Sequence, residues 1–170
     1  MNALRLAVLP ALVAFLTPAA VPAAASSTVS LAPALSASTW LNGKPTAASL
    51  RGKVVLVDVF TVDCINCQNV VPNLRKLDAQ RDANLAIVGI HSPETPPERQ
   101  RAHVVAELQT QGIVWPVALD NDFAIWRDYG VTAYPTELIF DKHGKLRKTI
   151  VGDSQDDAVD ATIRSLLAES

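Results

Sequence analysis

Cys64-Ile65-Asn66-Cys67 holds both cysteines of the chain. Two thiols three positions apart can close a disulfide or, as thiolates, clip a soft metal ion. A bridge across so short a loop restricts the unfolded chain little, so stabilisation alone is a poor use of it. The pair stands where an apolar run, Val54-Val55-Leu56-Val57-Asp58-Val59-Phe60, gives way to a helical pattern. In that pattern Cys67, Val70, Val71, Leu74 and Leu77 share one face. At a helix start, exposed backbone N–H groups and the helix dipole favour a thiolate. Redox chemistry is the leading reading.

The rest of the chain must position that pair. Its 170 residues suffice for one domain with a core. Leu6 to Ala25 carry no charge, with Arg5 before them and Ala23-Ala24-Ala25-Ser26 after, the layout of a cleaved signal peptide over residues 1–25. A retained membrane anchor is the alternative, and Pro10, Pro18 and Pro22 weigh against it. Without residues 1–25 the chain has 14 Lys and Arg against 17 Asp and Glu, which excludes a basic nucleic-acid surface. Export also places a close cysteine pair where disulfides persist.

Residues 26–38, rich in Ser, Ala, Thr and Pro, read as a flexible linker, and residues 39–170 as the domain. Asn42-Gly43 predicts a small hairpin turn. Strands are expected at Val54–Phe60, Leu85–Ile90, Val117–Leu119, Thr136–Phe140 and Leu146–Val151. Thr95-Pro96-Pro97-Glu98 predicts a capped helix reaching Gln111. Asp122 is expected to cap a short helix over Phe123–Tyr129, and Gln155–Ala168 to form the last helix. Alternating strands and helices imply an α/β sandwich around a mixed sheet.

Four features together resemble the thioredoxin superfamily. Cys64 and Cys67 open a helix after a buried strand, and Asp58 lies six residues earlier, where the family has a buried acid. Pro72 lies five residues after Cys67, where the family's helix is kinked. Tyr134-Pro135-Thr136 precedes a hairpin ending in Gly152, like the family's cis-proline segment. The lead-in from Trp40 to Lys53, and the helix after His91-Ser92-Pro93-Glu94, are similar to the TlpA-like periplasmic branch. The resemblance implies a thioredoxin-like fold: a central mixed β-sheet flanked by helices, with an N-terminal β-hairpin extension and an inserted helix.

It also implies roles. Cys64 would be the exposed nucleophile and Cys67 the resolving thiol, the two forming a Cys64–Cys67 disulfide. Asp58, costly to bury unpaired, would have a raised pKa and exchange a proton with Cys67; the alternative is an edge-strand acid facing water. Pro135 would be cis, presenting the Tyr134 backbone to a substrate peptide. Asp63 departs from the family's usual tryptophan. A carboxylate beside Cys64 disfavours the thiolate and predicts a more reducing pair, unless Asp63 merely caps the helix. His91 and Glu94 read as turn formers, His103 and His143 as surface residues, Trp115 and Trp126 as packing.

The expected activity is that of an exported protein thiol–disulfide oxidoreductase with no bound cofactor, acting as a reductant. Its partners would be protein thiols or disulfides of the exported compartment, apocytochrome c among them, and a membrane electron donor or acceptor. Two other readings stand beside it. One is a copper-handling protein of the same fold, holding Cu(I) between the thiolates and a histidine. The other is a peroxiredoxin-like peroxidase suggested by Thr61-x-x-Cys64, although Val57 occupies the position where that pattern has proline.

Overall fold

The computed structural model describes residues 29–80 and 82–169; the expected leader, residues 1–25, lies outside the described residues. At the centre is β2 (Val54–Phe60), whose seven residues are all buried. A mostly β-branched, apolar run favours such a strand, covered on both faces. It pairs parallel with β3 (Leu85–His91) and antiparallel with β5 (Thr136–Phe140). Outside these lie β4 (Val117–Leu119), parallel to β3, and β6 (Leu146–Val151), antiparallel to β5. β1 (Trp40–Leu41) closes the edge against β4, giving the order β1-β4-β3-β2-β5-β6.

Alternation along β2 divides the core. Val54, Leu56 and Phe60 pack under α2 (Ile65–Ala79), α3 (Arg101–Gln111) and α5 (Asp156–Ala168). Val55, Val57 and Val59 face the other way, toward Leu50 of α1 (Ala47–Leu50) and Ile125 of α4 (Ala124–Asp128). Asp58 falls on the first face, between Leu56 and Phe60. Beside it in β3 lies Gly89, where a Cβ would come within 3.0 Å of the side chains of both Phe60 and Val117.

The thioredoxin-like mixed sheet is as the sequence predicts, and four local expectations differ. Asn42 and Gly43 do turn, both with positive φ, but Trp40–Leu41 pairs with β4 rather than with a hairpin partner. Asn42 Nδ2 bonds the carbonyls of Ile113 and Trp115, which directs the turn toward β4. The linker expected over residues 26–38 is ordered where it is described. A 3₁₀ turn at Ala32–Leu35 buries Ala34 and Ala37, and the Ala34 amide donates to the Tyr129 hydroxyl at 2.9 Å.

The helix expected from Thr95 begins instead as a 3₁₀ turn, Pro97–Arg99, broken at Gln100 before α3. Glu98 does reach back to the Thr95 amide at 2.6 Å, but the Thr95 hydroxyl donates to Glu98 instead of capping the helix. The short helix is capped from Asp120, not mainly by Asp122. Buried Asp120 accepts the amides of Ile125 and Trp126 and the Ser92 hydroxyl.

Candidate active site

Cys64 is the N-cap residue of α2, in extended conformation and with no side-chain cap bond, so the positive end of the α2 dipole lies beside it. Cys64 is half-buried, and its neighbour Ile65 is 66% exposed. One turn on, Cys67 is buried, and both are free thiols. Burial pushes the Cys67 thiol well up; the Thr61 amide opposes this, and a hydrogen bond to Cys64 and the charge of Asp58 add to it. The inner sulfur thus keeps its proton until something removes it.

Asp58 is 1% exposed, and its Oδ1 has no hydrogen-bond partner among the described residues. Burial raises its pKa well above the usual carboxylate range, and the charge of Glu137 raises it further. The alternative of an edge-strand acid facing water is therefore not what the structure holds.

Pro135 is buried and follows a cis peptide bond from Tyr134. The Tyr134 ring packs on Trp126 at 4.5 Å between centroids, and its hydroxyl donates to the Ser92 carbonyl at 2.8 Å. Tyr134 also packs, with Cys64, against the core that contains Cys67. The structure therefore gathers Cys64, Cys67, Asp58 and Tyr134-Pro135 at the C-terminal end of β2, where ligand sites form in such sheets.

Asp63 does not cap the helix, since the N-cap is Cys64 and has no side-chain cap bond. Its carboxylate instead receives His103 Nε2 from α3, 2.9 Å from Oδ1. His103, read from sequence as a plain surface residue, is thus joined to the residue beside Cys64. Asp63, His103 and Glu107 converge within 4.8 Å and could together hold a cation, without a cysteine. His91 is wholly buried, with Nε2 at 3.0 Å from the Glu98 carbonyl, and burial lowers its pKa.

Two carboxylates escaped the sequence reading. Glu98, taken as part of a helix cap, is buried and receives the Thr61 hydroxyl and the amides of Asp63, Glu94 and Thr95. Burial alone would raise its pKa, but these donors outweigh burial and lower it. Glu98 thereby fixes the loop leading into Cys64. The same bond directs the Thr61 hydroxyl proton to Glu98. Glu137, 3% exposed, stands opposite Asp58 across the β2–β5 pair. An acid inside Thr-Glu-Leu-Ile-Phe is the same signal that marks Asp58.

The profile of the Redoxin family matches residues 24–166. The chain belongs to the Redoxin family. Through it the chain is a member of the thioredoxin superfamily. It is 36% identical over 136 residues to protein DipZ of Mycobacterium bovis, covering 77% of this chain but only 20% of DipZ. The chain thus spans about a fifth of that curated relative. It is 25% identical to the thiol-disulfide oxidoreductase YkuV of Bacillus subtilis, covering 77% of this chain and 89% of YkuV. The solved structure of a thiol-disulfide isomerase from Corynebacterium glutamicum superposes with a TM-score of 0.72 at 27% identity, covering 80% of this Redoxin chain and 95% of that one.

Proposed function

We propose that this Redoxin protein is exported and reduces disulfides in other exported proteins, with Cys64 as nucleophile and Cys67 as the resolving thiol. The observation that carries this reading is the asymmetry of the pair: a half-buried sulfur at the start of α2 and a buried, protonated one behind it, on the face that holds Asp58. The Cys64 thiolate attacks a substrate disulfide and releases one substrate sulfur. Cys67 gives its proton to Asp58, attacks Cys64 and releases the second. Tyr134 and Pro135, packed beside the sulfurs, receive the substrate backbone.

The reducing direction is supported by groups that disfavour thiolates. Asp63 lies next to Cys64, and burial holds the Cys67 proton. A less stable thiolate makes the disulfide the better-favoured product, hence a stronger reductant. Export is supported by the charge-free stretch Leu6 to Ala25 and its small-residue end. Among the described residues no helix is long and apolar enough to cross a membrane. Substrates would be exported proteins with reducible cysteines, such as apocytochrome c, and a membrane electron donor would recharge the pair.

A Cys67→Ser variant expressed in the exporting cell tests this. It is expected to accumulate mixed disulfides on Cys64 with exported proteins, whereas Cys64→Ser captures none. A redox titration near the thioredoxin value of about −270 mV supports reduction, and one near −120 mV would reverse the direction. Asp58→Asn is expected to slow resolution about a hundredfold at neutral pH. An unchanged single-turnover rate removes that role for Asp58.

A further inference from the structure

We propose that Glu137 is the second carboxylate of a proton path, carrying the Cys67 proton from Asp58 to solvent beside α5. This rests on the reading of Asp58 as the acceptor of that proton.

The register makes the pairing. Asp58 and Glu137 are direct partners in the antiparallel β2–β5 ladder. Residues so opposed project to the same face with Cβ atoms about 4.5–5.5 Å apart. That face is the one beneath α2 and α5. Leu56 and Phe60 flank Asp58 there, and Ile139, two residues beyond Glu137, belongs to the same cluster as Cys67. On the other side of Asp58 the partner is Gly89, which has no side chain to take a proton.

Asp58 is itself enclosed, with one oxygen lacking any partner among the described residues. A carboxyl that takes a proton in every cycle must also lose it, and an enclosed one needs a second acceptor. Glu137 is the adjacent acid, and the groups around it lead outward. Asp156 and Asp160 of α5 face it, Asp156 being exposed. Asp160 accepts from Asn73 at 3.0 Å and Lys76 at 2.9 Å, and Arg164 lies 3.9 Å away. These donors hold Asp160 charged, its pKa lowered by them against the effect of burial. Burial, then the charges of Asp156 and Asp160, raise Glu137 to about 7, where a carboxyl can both accept and release a proton near neutrality.

The step balances. As the Cys67 sulfur bonds to Cys64, its proton passes to the Asp58 carboxylate, and the bond between Cys64 and the substrate sulfur breaks. The substrate sulfur leaves with the electron pair and is protonated from water. The enzyme dithiol is oxidised by two electrons and the substrate disulfide is reduced. Asp58 then passes the proton to Glu137, and Glu137 to water at the α5 edge.

Stopped-flow reaction of the reduced protein with dithiobis(nitrobenzoate) separates the two steps, since each sulfur attack releases one coloured thiolate. Glu137→Gln is expected to leave the first release at the parent rate and to slow the second about tenfold at neutral pH. It is also expected to abolish the change of the second rate with pH around 7. Glu137→Asp, which keeps a carboxyl, should recover most of the rate, and Asp58→Asn combined with Glu137→Gln should be no slower than Asp58→Asn alone. A second release slowed in Asp58→Asn but not in Glu137→Gln overturns the path and leaves Asp58 as acceptor. Parent rates in both overturn both. Equal slowing of the two releases, or no recovery with Glu137→Asp, marks a packing role and overturns the path.

Discussion

At the scale of the residue, charge beside the sulfurs sets both their chemistry and the response of the fold to pH. Asp63, the residue before Cys64, is hydrogen-bonded to His103. Exposed pairs of this kind are worth at most about 1 kcal/mol, equivalent to about 20 mV in a two-electron couple. Asp63→Asn is therefore expected to raise the reduction potential by about 10–20 mV. A potential that stays put or falls in a glutathione titration refutes this tuning. Glu137 rises from an ordinary 4.5 to about 7 on folding, so the fold favours its protonated form. Its share of stability is complete below about pH 4.5 and is lost as pH rises through 7. The full loss is about 3 kcal/mol. Glu98, Asp141 and Asp160 are lowered, so their shares are lost as pH falls into the acid range. Urea unfolding should find the parent most stable in mildly acidic buffer and weaker at pH 8, with a flatter decline in Glu137→Gln. Parallel curves for the two proteins would contradict this.

At the scale of the element, buried acids act as brackets between segments distant in sequence. Asp120 holds the start of α4 through two amides and the end of β3 through Ser92. Asp120→Ala would leave these donors without their acceptor and cost about 3 kcal/mol, readable as a lower denaturation midpoint with an unchanged slope. A loss below about 0.5 kcal/mol would show that water takes over the bracket. Sequence rules favoured Asp122, which stands nearer the helix. Asp120 does the work because β4 ends there and aims its side chain under the first turn. Glu98 is similar. Its spacing from Thr95 was legible as a cap, but its bonds to Thr61 and Asp63 join segments some 35 residues apart and left no local trace.

At the scale of the whole molecule, the described part of the expected linker, residues 29–38, packs onto the sheet. Tyr129 receives the Ala34 amide and donates to the Leu31 carbonyl, pinning the 3₁₀ turn against the face of the sheet opposite the cysteines. Tyr129→Phe should cost about 1–2 kcal/mol and release residues 29–38 first. Faster exchange of the Ala34 amide, with core exchange little altered, would display that local opening. Composition alone reads this stretch as linker, because Ser, Ala, Thr and Pro dominate it. Only packing against Ile125 and the sheet face makes two of its alanines core.

The cysteine pair, the strand before it and the helix after it are legible in the residues alone, because hydrophobic periodicity and the helix dipole act over a few residues. Asp58 is legible too, since one acid in an apolar run is conspicuous wherever the strand lies. Which charges meet is set by the packing of the fold. Glu137 faces Asp58 because β5 runs antiparallel to β2 in one particular register, and a shift of one residue would turn it to the other side of the sheet. His103 meets Asp63, and Glu98 meets Thr61, because the chain crosses over between β3 and β4 above the cysteines. Contacts of that kind arise from packing between distant segments, and no local pattern encodes them.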